Sequence, residues 1–322
     1  MFFNPIIIVG GEPQSIFLEI FLKSISKLKN KKTPIILISS KNLLKTNIKK
    51  FKKNIKLNEL NNNLTNIETD KINLININYN GFSFSKKKIT SRSNVFLTKS
   101  FEKALSIIKK KNCAGLINGP ISKKTFLYGK FNGITEYLAN KTRTTDPVML
   151  IYNKDLSVSP LTTHIPISKV TKNVKKKDII LKIFKIHEFY KKIIKKKPKI
   201  AVTGLNPHCE SFEKENVEKK QIIPAIKFLK KKKIDIHGPY SSDTIFYKKN
   251  IKKFDVIFGM YHDQVIGPMK TLYGFNAINI TLGLPFLRIS PDHGPNVEML
   301  GKNKSDPTSL IESIHFFRKY AF

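Results

Sequence analysis

The feature that most limits how this chain can fold is a repeated pairing of a short apolar run with a stretch of helically spaced apolar residues. "PIIIVGG" is followed by "QSIFLEIFLKSISKLKN", and "TPIILISS" by "NLLKTNIKKF". Runs of that length bounded by turn residues read as buried strands, and their alternation with amphipathic helices reads as α/β rather than all-β or all-α. Further strands are expected in "CAGLIN", "PVMLIY", "LSVSPLTT", "KIAVT", "FDVIFGMY" and "NAINITLG", and "KKDIILKIFKIHEFYKKIIKKK" is the clearest amphipathic helix. A Ser-led helix start is expected after the Gly-Pro turn of "INGPISKKTF", and a short helix at "GITEYLANKT" with Thr135 and Glu136 in its first turn. Residues 52–98 are polar, Asn-rich and poorly periodic, offer one strand near "INLININ", and read as a peripheral excursion.

Three of the apolar runs lead directly to a histidine, in "SVSPLTTHIP", "KIAVTGLNPHCE" and "DVIFGMYHDQ". His164, His208 and His262 are therefore expected just past strand carboxyl ends, the edge of an open α/β sheet where ligands bind. Three neutral imidazoles meeting there would suit Zn²⁺, Mn²⁺ or Co²⁺ with coordination positions left open for a substrate. Asp263, beside His262, is placed to orient an imidazole. His293, in "SPDHGP", also falls near a strand end, whereas His187, His237 and His315 lack such a setting.

With 322 residues the chain is long enough for one large domain or two ordinary ones. Its formal net charge of +36 would ordinarily point to a polyanionic partner, but the kind of cation argues otherwise. Only Arg92, Arg143, Arg288 and Arg318 are arginine, so 55 of the 59 basic residues are lysine, in a chain also rich in Asn and Ile. That joint excess is what an AT-rich genome produces, whereas base readout and bidentate phosphate clamps favour arginine. We expect no nucleic-acid surface. An arginine retained against such a background draws attention to itself.

Arg288 in "PFLRIS", with Lys270 in "GPMKTLY" and Asn279 in "AINITLG", forms a second group, suited to holding a phosphate or carboxylate. Thr135 could offer its hydroxyl and a helix N-terminus to the same anion. No G-x-G-x-x-G follows the first strand and there is no Walker-type loop, so cofactor-binding residues are not assigned. Cys113 and Cys209 give neither a disulfide framework nor a cysteine metal knuckle, although Cys209 adjoins His208. No apolar run approaches the roughly 20 residues a membrane helix needs, and the N-terminus lacks a basic n-region, so a cytoplasmic protein without a membrane partner is expected.

Taken together, "GEP" at 11–13, "INGPISK", "GITEYLA", "LTTHIP", "AVTGLNPH", "GPYSSDTIF", "MYHDQVIGPMK" and "NITLGLPFLRISPDHG" resemble the 4-hydroxythreonine-4-phosphate dehydrogenase family of pyridoxal phosphate biosynthesis, in the family's order and over nearly the whole chain. The resemblance implies the fold of the isocitrate and isopropylmalate dehydrogenases. That fold has two α/β domains, placed here at 1–125 plus 295–322 and at 126–294, with the active site in the cleft. It implies His164, His208 and His262 as metal ligands, Thr135, Lys270, Asn279 and Arg288 as substrate contacts, and a homodimer whose partner helps complete each metal site. It also implies NAD and one divalent ion (Zn, Mg, Co or Mn) as cofactors. The implied reaction oxidises 4-phosphooxy-L-threonine to 2-amino-3-oxo-4-phosphooxybutanoate, which loses CO₂ to give 3-amino-2-oxopropyl phosphate.

This chain departs from the family at three places. Ile134 stands where many members have a phosphate-binding His, and losing such a charge-assisted bond costs on the order of 1.5 to 3 kcal/mol unless Lys123 or Lys124 replaces it. "QSIFLE" follows "GEP" where the family has an "AGIGPE"-like segment, and "CESFEKEN" follows "NPH" without the usual glycines. The missing His makes another phosphorylated four-carbon hydroxy acid, such as 4-phosphoerythronate, the alternative substrate. Outside enzymes, the alternative is a basic nucleic-acid-binding protein on a degenerate scaffold, against which the intact histidines and Arg288 argue.

Overall fold

The structure, a computed structural model, describes residues 4–28, 33–61, 64, 66–110, 113–122, 124–126, 131, 133–210 and 216–320. It opens with β1 (Ile6–Val9), α1 (Phe17–Lys27), β2 (Ile35–Ser39), α2 (Lys41–Lys50), β3 (Leu57–Glu59), β4 (Ile72–Asn76), α3 (Asn94–Lys109), β5 (Gly115–Asn118) and α4 (Ile134–Lys141). There follow β6 (Val148–Tyr152), β7 (Ser157–Thr162), α5 (Val170–Asn173), α6 (Lys176–Phe189), β8 (Ile200–Thr203) and α7 (Ile223–Lys231). The series closes with β9 (Ile236–Tyr240), α8 (Lys248–Ile251), β10 (Val256–Tyr261), α9 (His262–Tyr273), β11 (Ile278–Leu282), β12 (Arg288–Pro291) and α10 (Thr308–Tyr320).

Contacts divide the chain into one unit of Met1–Thr145 with Leu284–Phe322 and another of Asp146–Gly283. These limits differ from the expected 1–125 plus 295–322 and 126–294. The short helix α4 stays with the first unit because Tyr137 and Leu138 enter the same core as Ile7, Val9 and Leu116. β12 stays there because it pairs in parallel with β5, Arg288 opposite Leu116. Thr135 and Arg288 thus belong to the first unit.

In the first unit the strand order is β3-β4-β2-β1-β5-β12, all parallel. β1 is wholly buried, which is why "IIIV" is continuously apolar rather than alternating: helices cover both faces of a parallel sheet. Because β2 lies on one side of β1 and β5 on the other, the chain changes direction across the sheet at β1, a topological switch point. The loop beyond it is tight. Gly11 has φ +69, and a Cβ there would lie 2.5 Å from the Pro120 carbonyl oxygen. Gly11→Ala is expected to cost about 1–3 kcal/mol, read as a lower urea midpoint at unchanged slope.

Residues 52–98 prove less peripheral than their composition implies. β4 pairs with β2, and Leu60 and Ile75 enter the first unit's core. The helix expected from Ser122 does not form among the described residues. There the Thr125 N–H donates to the Ser122 hydroxyl in a turn, and the next helix is α4, with Gly133 before it.

In the second unit the order is β11-β6-β7-β10-β8-β9. β10 lies between β7 and β8 and is parallel to both, while β6 runs antiparallel to β7 and to β11. Val265, Ile266 and Met269 of α9 pack onto Val158 of β7 and Ile257 of β10. Burying each such side chain contributes roughly 1.5–3 kcal/mol, enough to hold the start of α9 against the ends of these strands.

Candidate active site

All three histidines lie at one edge of the second unit. Since β7, β10 and β8 are adjacent and parallel, their carboxyl ends coincide, and His164, His262 and His208 follow Thr162, Tyr261 and Thr203 respectively. The His164 and His262 ring centres are 6.0 Å apart. His262 opens α9, and its Nδ1 is 2.7 Å from Asp263 Oδ1, so Nδ1 is the ring nitrogen engaged by the neighbouring carboxylate. His164 and His208 have φ of +49 and +53. Left-handed backbone is uncommon outside glycine, though histidine tolerates it better than most, and such conformations cluster at functional sites.

His208 does not join this pair. Its ring lies within electrostatic reach of Asp243, and among the described residues no three His, Cys, Asp or Glu side chains stand together closely enough to hold a metal ion. Asp243, in "GPYSSDTIF", is held below the usual carboxylate range first by a hydrogen bond from the Ser241 hydroxyl, 2.6 Å away, and further by His208. Cys209 is half-buried, and burial raises its thiol pKa.

Two residues that carry no motif of their own hold the His208 loop. Gln264, buried two positions after His262, accepts from the Thr203 hydroxyl (2.9 Å) and the Met260 N–H (2.7 Å) and donates to the Gly204 carbonyl (2.7 Å). It ties the ends of β8 and β10 together. Glu218 accepts from the backbone N–H groups of Leu205 and Asn206 at 2.9 and 2.8 Å. Burial pushes the Glu218 carboxyl up, but these bonds outweigh it and the net pKa is lowered, so it is anionic where it clamps the loop. A polar residue in "YHDQ" and an acid in a lysine-rich helix are the only sequence marks of this clamp.

The predicted anion-binding residues divide between the units. In the first, Arg288 is 1% exposed and donates from Nε to Asn118 Oδ1 (2.7 Å) and from Nη1 to the Thr135 hydroxyl (3.2 Å). Burial lowers its pKa to about 10 and Glu136 opposes the shift, so it stays cationic at neutral pH. Thr135 therefore lies within α4 as an acceptor for Arg288 and not as its cap. Ile134 packs against the first unit's core, Lys124 is exposed, and Lys123 lies outside the described residues. In the second unit Lys270 is exposed on α9, about 12 Å along the axis from His262 by helical rise. Asn279 lies in β11 with Oδ1 buried and without a hydrogen-bond partner among the described residues.

His293 follows β12 in the first unit, its ring stacked on Phe17 at 6.1 Å and its Nδ1 3.0 Å from the Gly294 carbonyl. Glu12, in the loop beyond β1, is 2% exposed, and neither carboxyl oxygen has a hydrogen-bond partner of good geometry among the described residues. Burial raises its pKa to about 7; the Ser93 hydroxyl and the Ser122 backbone face it and oppose the shift only in part.

Comparison with known proteins bears on this arrangement. The model of the pyridoxal phosphate biosynthetic protein PdxA family matches residues 30–317. The chain is 37% identical over 311 residues to a 4-hydroxythreonine-4-phosphate dehydrogenase of Sulfurihydrogenibium, covering 94% of each chain. The crystal structure of the Klebsiella pneumoniae protein of that name superposes with a TM-score of 0.83 at 26% identity, covering 99% of this chain and 100% of that one. An isocitrate dehydrogenase of Methylococcus capsulatus, 11% identical with a TM-score of 0.51 over 98% of this chain and 85% of its own, shares the fold. No described helix is long and apolar enough to cross a membrane. With a family match over most of its length, and the expected α/β architecture in place, this chain belongs to the PdxA family.

Proposed function

We propose that the protein is a divalent-metal- and NAD-dependent 4-hydroxythreonine-4-phosphate dehydrogenase acting as a homodimer. On this reading it oxidises 4-phosphooxy-L-threonine to 2-amino-3-oxo-4-phosphooxybutanoate, which decarboxylates to 3-amino-2-oxopropyl phosphate. The observation that carries the reading is the imidazole pair of His164 and His262 at a strand-end edge shared with His208, in a chain of this family. Metal–nitrogen distances of about 2.0–2.1 Å put two imidazoles sharing an ion at roughly the observed ring separation, so the donor set fits a divalent cation. His208 stands off from the pair within one protomer, which supports completion of the site by a partner subunit.

When bound, the ion supplies Lewis acidity that stabilises negative charge on the substrate's alcohol and carbonyl oxygens. The protein's own groups do the rest. Asp263 fixes the tautomer of His262, and Gln264 and Glu218 hold the loop that carries His208. Arg288 and Thr135 in the first unit and Lys270 and Asn279 in the second would bind the substrate's phosphate and carboxylate, so that binding energy remote from the reacting carbon would orient the substrate.

The alternative within the same chemistry is oxidation of another phosphorylated four-carbon hydroxy acid such as 4-phosphoerythronate; both compounds carry the phosphate for which Ile134 has no donor, so the assay decides between them. NADH formation at 340 nm with each compound, metal and NAD⁺ supplied, separates the two. Turnover of 4-phosphooxy-L-threonine is expected to exceed that of 4-phosphoerythronate by at least about tenfold in kcat/KM, a difference of about 1.4 kcal/mol at the transition state. Activity on neither defeats both readings.

A further inference from the structure

We propose that Asn118 is a positioning residue that aims the Arg288 guanidinium at the substrate's anionic group through a neutral acceptor, adding no negative charge of its own. The proposal rests on Arg288 acting as an anion-binding residue, as read above.

Arg288 and Asn118 are 170 residues apart in sequence, yet sheet register brings them together. β12 and β5 are neighbouring parallel strands with Arg288 opposite Leu116, so an arginine side chain extending toward the carboxyl end of β5 reaches the residue two positions on, Asn118. There its Nε donates to Asn118 Oδ1 at 2.7 Å. The amide cannot face the other way. Its Nδ2 donates to the Gly119 carbonyl at 2.9 Å, and a carbonyl only accepts, so Oδ1 is left toward the guanidinium. With Asn118 2% exposed and Arg288 1% exposed, water competes for neither group. On the other side of the fork the Thr135 hydroxyl accepts from Nη1, a second neutral acceptor, while the Glu136 carboxylate already places one negative charge within electrostatic reach of the guanidinium, which a second carboxylate at 118 would add to.

The choice of an amide has a consequence that geometry alone does not require. A carboxylate at 118 would accept the same hydrogen bond more strongly, and in a buried setting it would pair with the guanidinium charge. An oriented but neutralised arginine is a poor host for a phosphate or carboxylate. Asn118 gives the orientation without contributing to neutralisation.

The test compares Asn118→Asp, Asn118→Leu and Arg288→Lys with the parent enzyme. It measures kcat and KM for 4-phosphooxy-L-threonine, inhibition by inorganic phosphate, phosphate binding by calorimetry, and melting temperature. Asn118→Asp should raise KM and the phosphate inhibition constant together by at least about tenfold, with kcat changed by no more than about threefold. Asn118→Leu, which removes the acceptor without adding charge, should raise KM and also lower kcat, and it serves if the aspartate variant does not fold. If both Asn118 variants fold and bind phosphate and substrate like the parent while Arg288→Lys weakens both, Asn118 is merely structural and the proposal fails. Unchanged phosphate binding in Arg288→Lys overturns the anion-binding reading and this proposal with it. Should the parent enzyme turn over no substrate, phosphate binding to the parent and to Asn118→Asp still decides the proposal separately from the assigned reaction.

Discussion

If His208 is a ligand as proposed, His208→Ala is expected to reduce turnover by about 10³-fold or more while leaving the fold intact, because losing a ligand would forfeit several kcal/mol of charge stabilisation at the transition state. The fold should survive because His208 is exposed and packs into neither core, and the loop that bears it is held from elsewhere by Glu218 and Gln264. Circular dichroism and melting temperature should match the parent, whereas metal content per protomer, measured by atomic emission, should fall. An unaffected rate would remove His208 from the site and leave the His164 and His262 pair to be explained without it. The same substitution at His262 should act as strongly, with the added loss of the Asp263 contact.

Glu12→Gln is expected to stabilise the protein above neutral pH, against the usual direction for a buried substitution. In the folded state burial raises the Glu12 pKa from 4.5 to about 7. A carboxyl whose folded pKa lies above its unfolded value binds its proton more tightly when folded. Its favourable contribution is thus fully present below about pH 4.5 and is lost as pH rises through about 7. The difference corresponds to about 3 kcal/mol across that window, since each tenfold change in proton affinity is worth about 1.4 kcal/mol. Glu218, Asp243 and Asp306 have lowered pKa values and act in the opposite sense, so the informative quantity is the difference between parent and variant at each pH. Urea midpoints at pH 5, 6, 7 and 8 should converge at the acid end and separate in favour of the glutamine variant at the alkaline end. Parallel curves would mean that Glu12 ionises freely in the folded protein.

Much of the architecture was legible along the chain, for reasons that individual elements show. "IIIV" and "VIFGMY" are strands buried on both faces, so their apolar character is continuous and their ends are sharp. The reading failed where burial is partial. β9, "IHGPY", is mostly half-exposed and contains Gly and Pro, and β3 is a three-residue edge strand, so neither carries the mark of a core strand. The contact units differ from the expected boundary at α4, because a helix's own periodicity does not say which of two cores its apolar face joins.

The candidate site residues show the same division. That His164, His208 and His262 share one edge follows from local pattern, because each ends an apolar run and parallel strands place their carboxyl ends together. Which rings approach one another does not follow. It depends on β10 lying between β7 and β8, on left-handed backbone at two of the histidines, and on Gln264 and Glu218 drawing the β8 loop into place. Thr135, Asn118 and Arg288 are separated by up to 170 residues, and only the pairing of β5 with β12 makes them neighbours. Residue types record what each position can bind; long-range strand pairing, whose loop-closure cost no local window reveals, settles what those positions bind together.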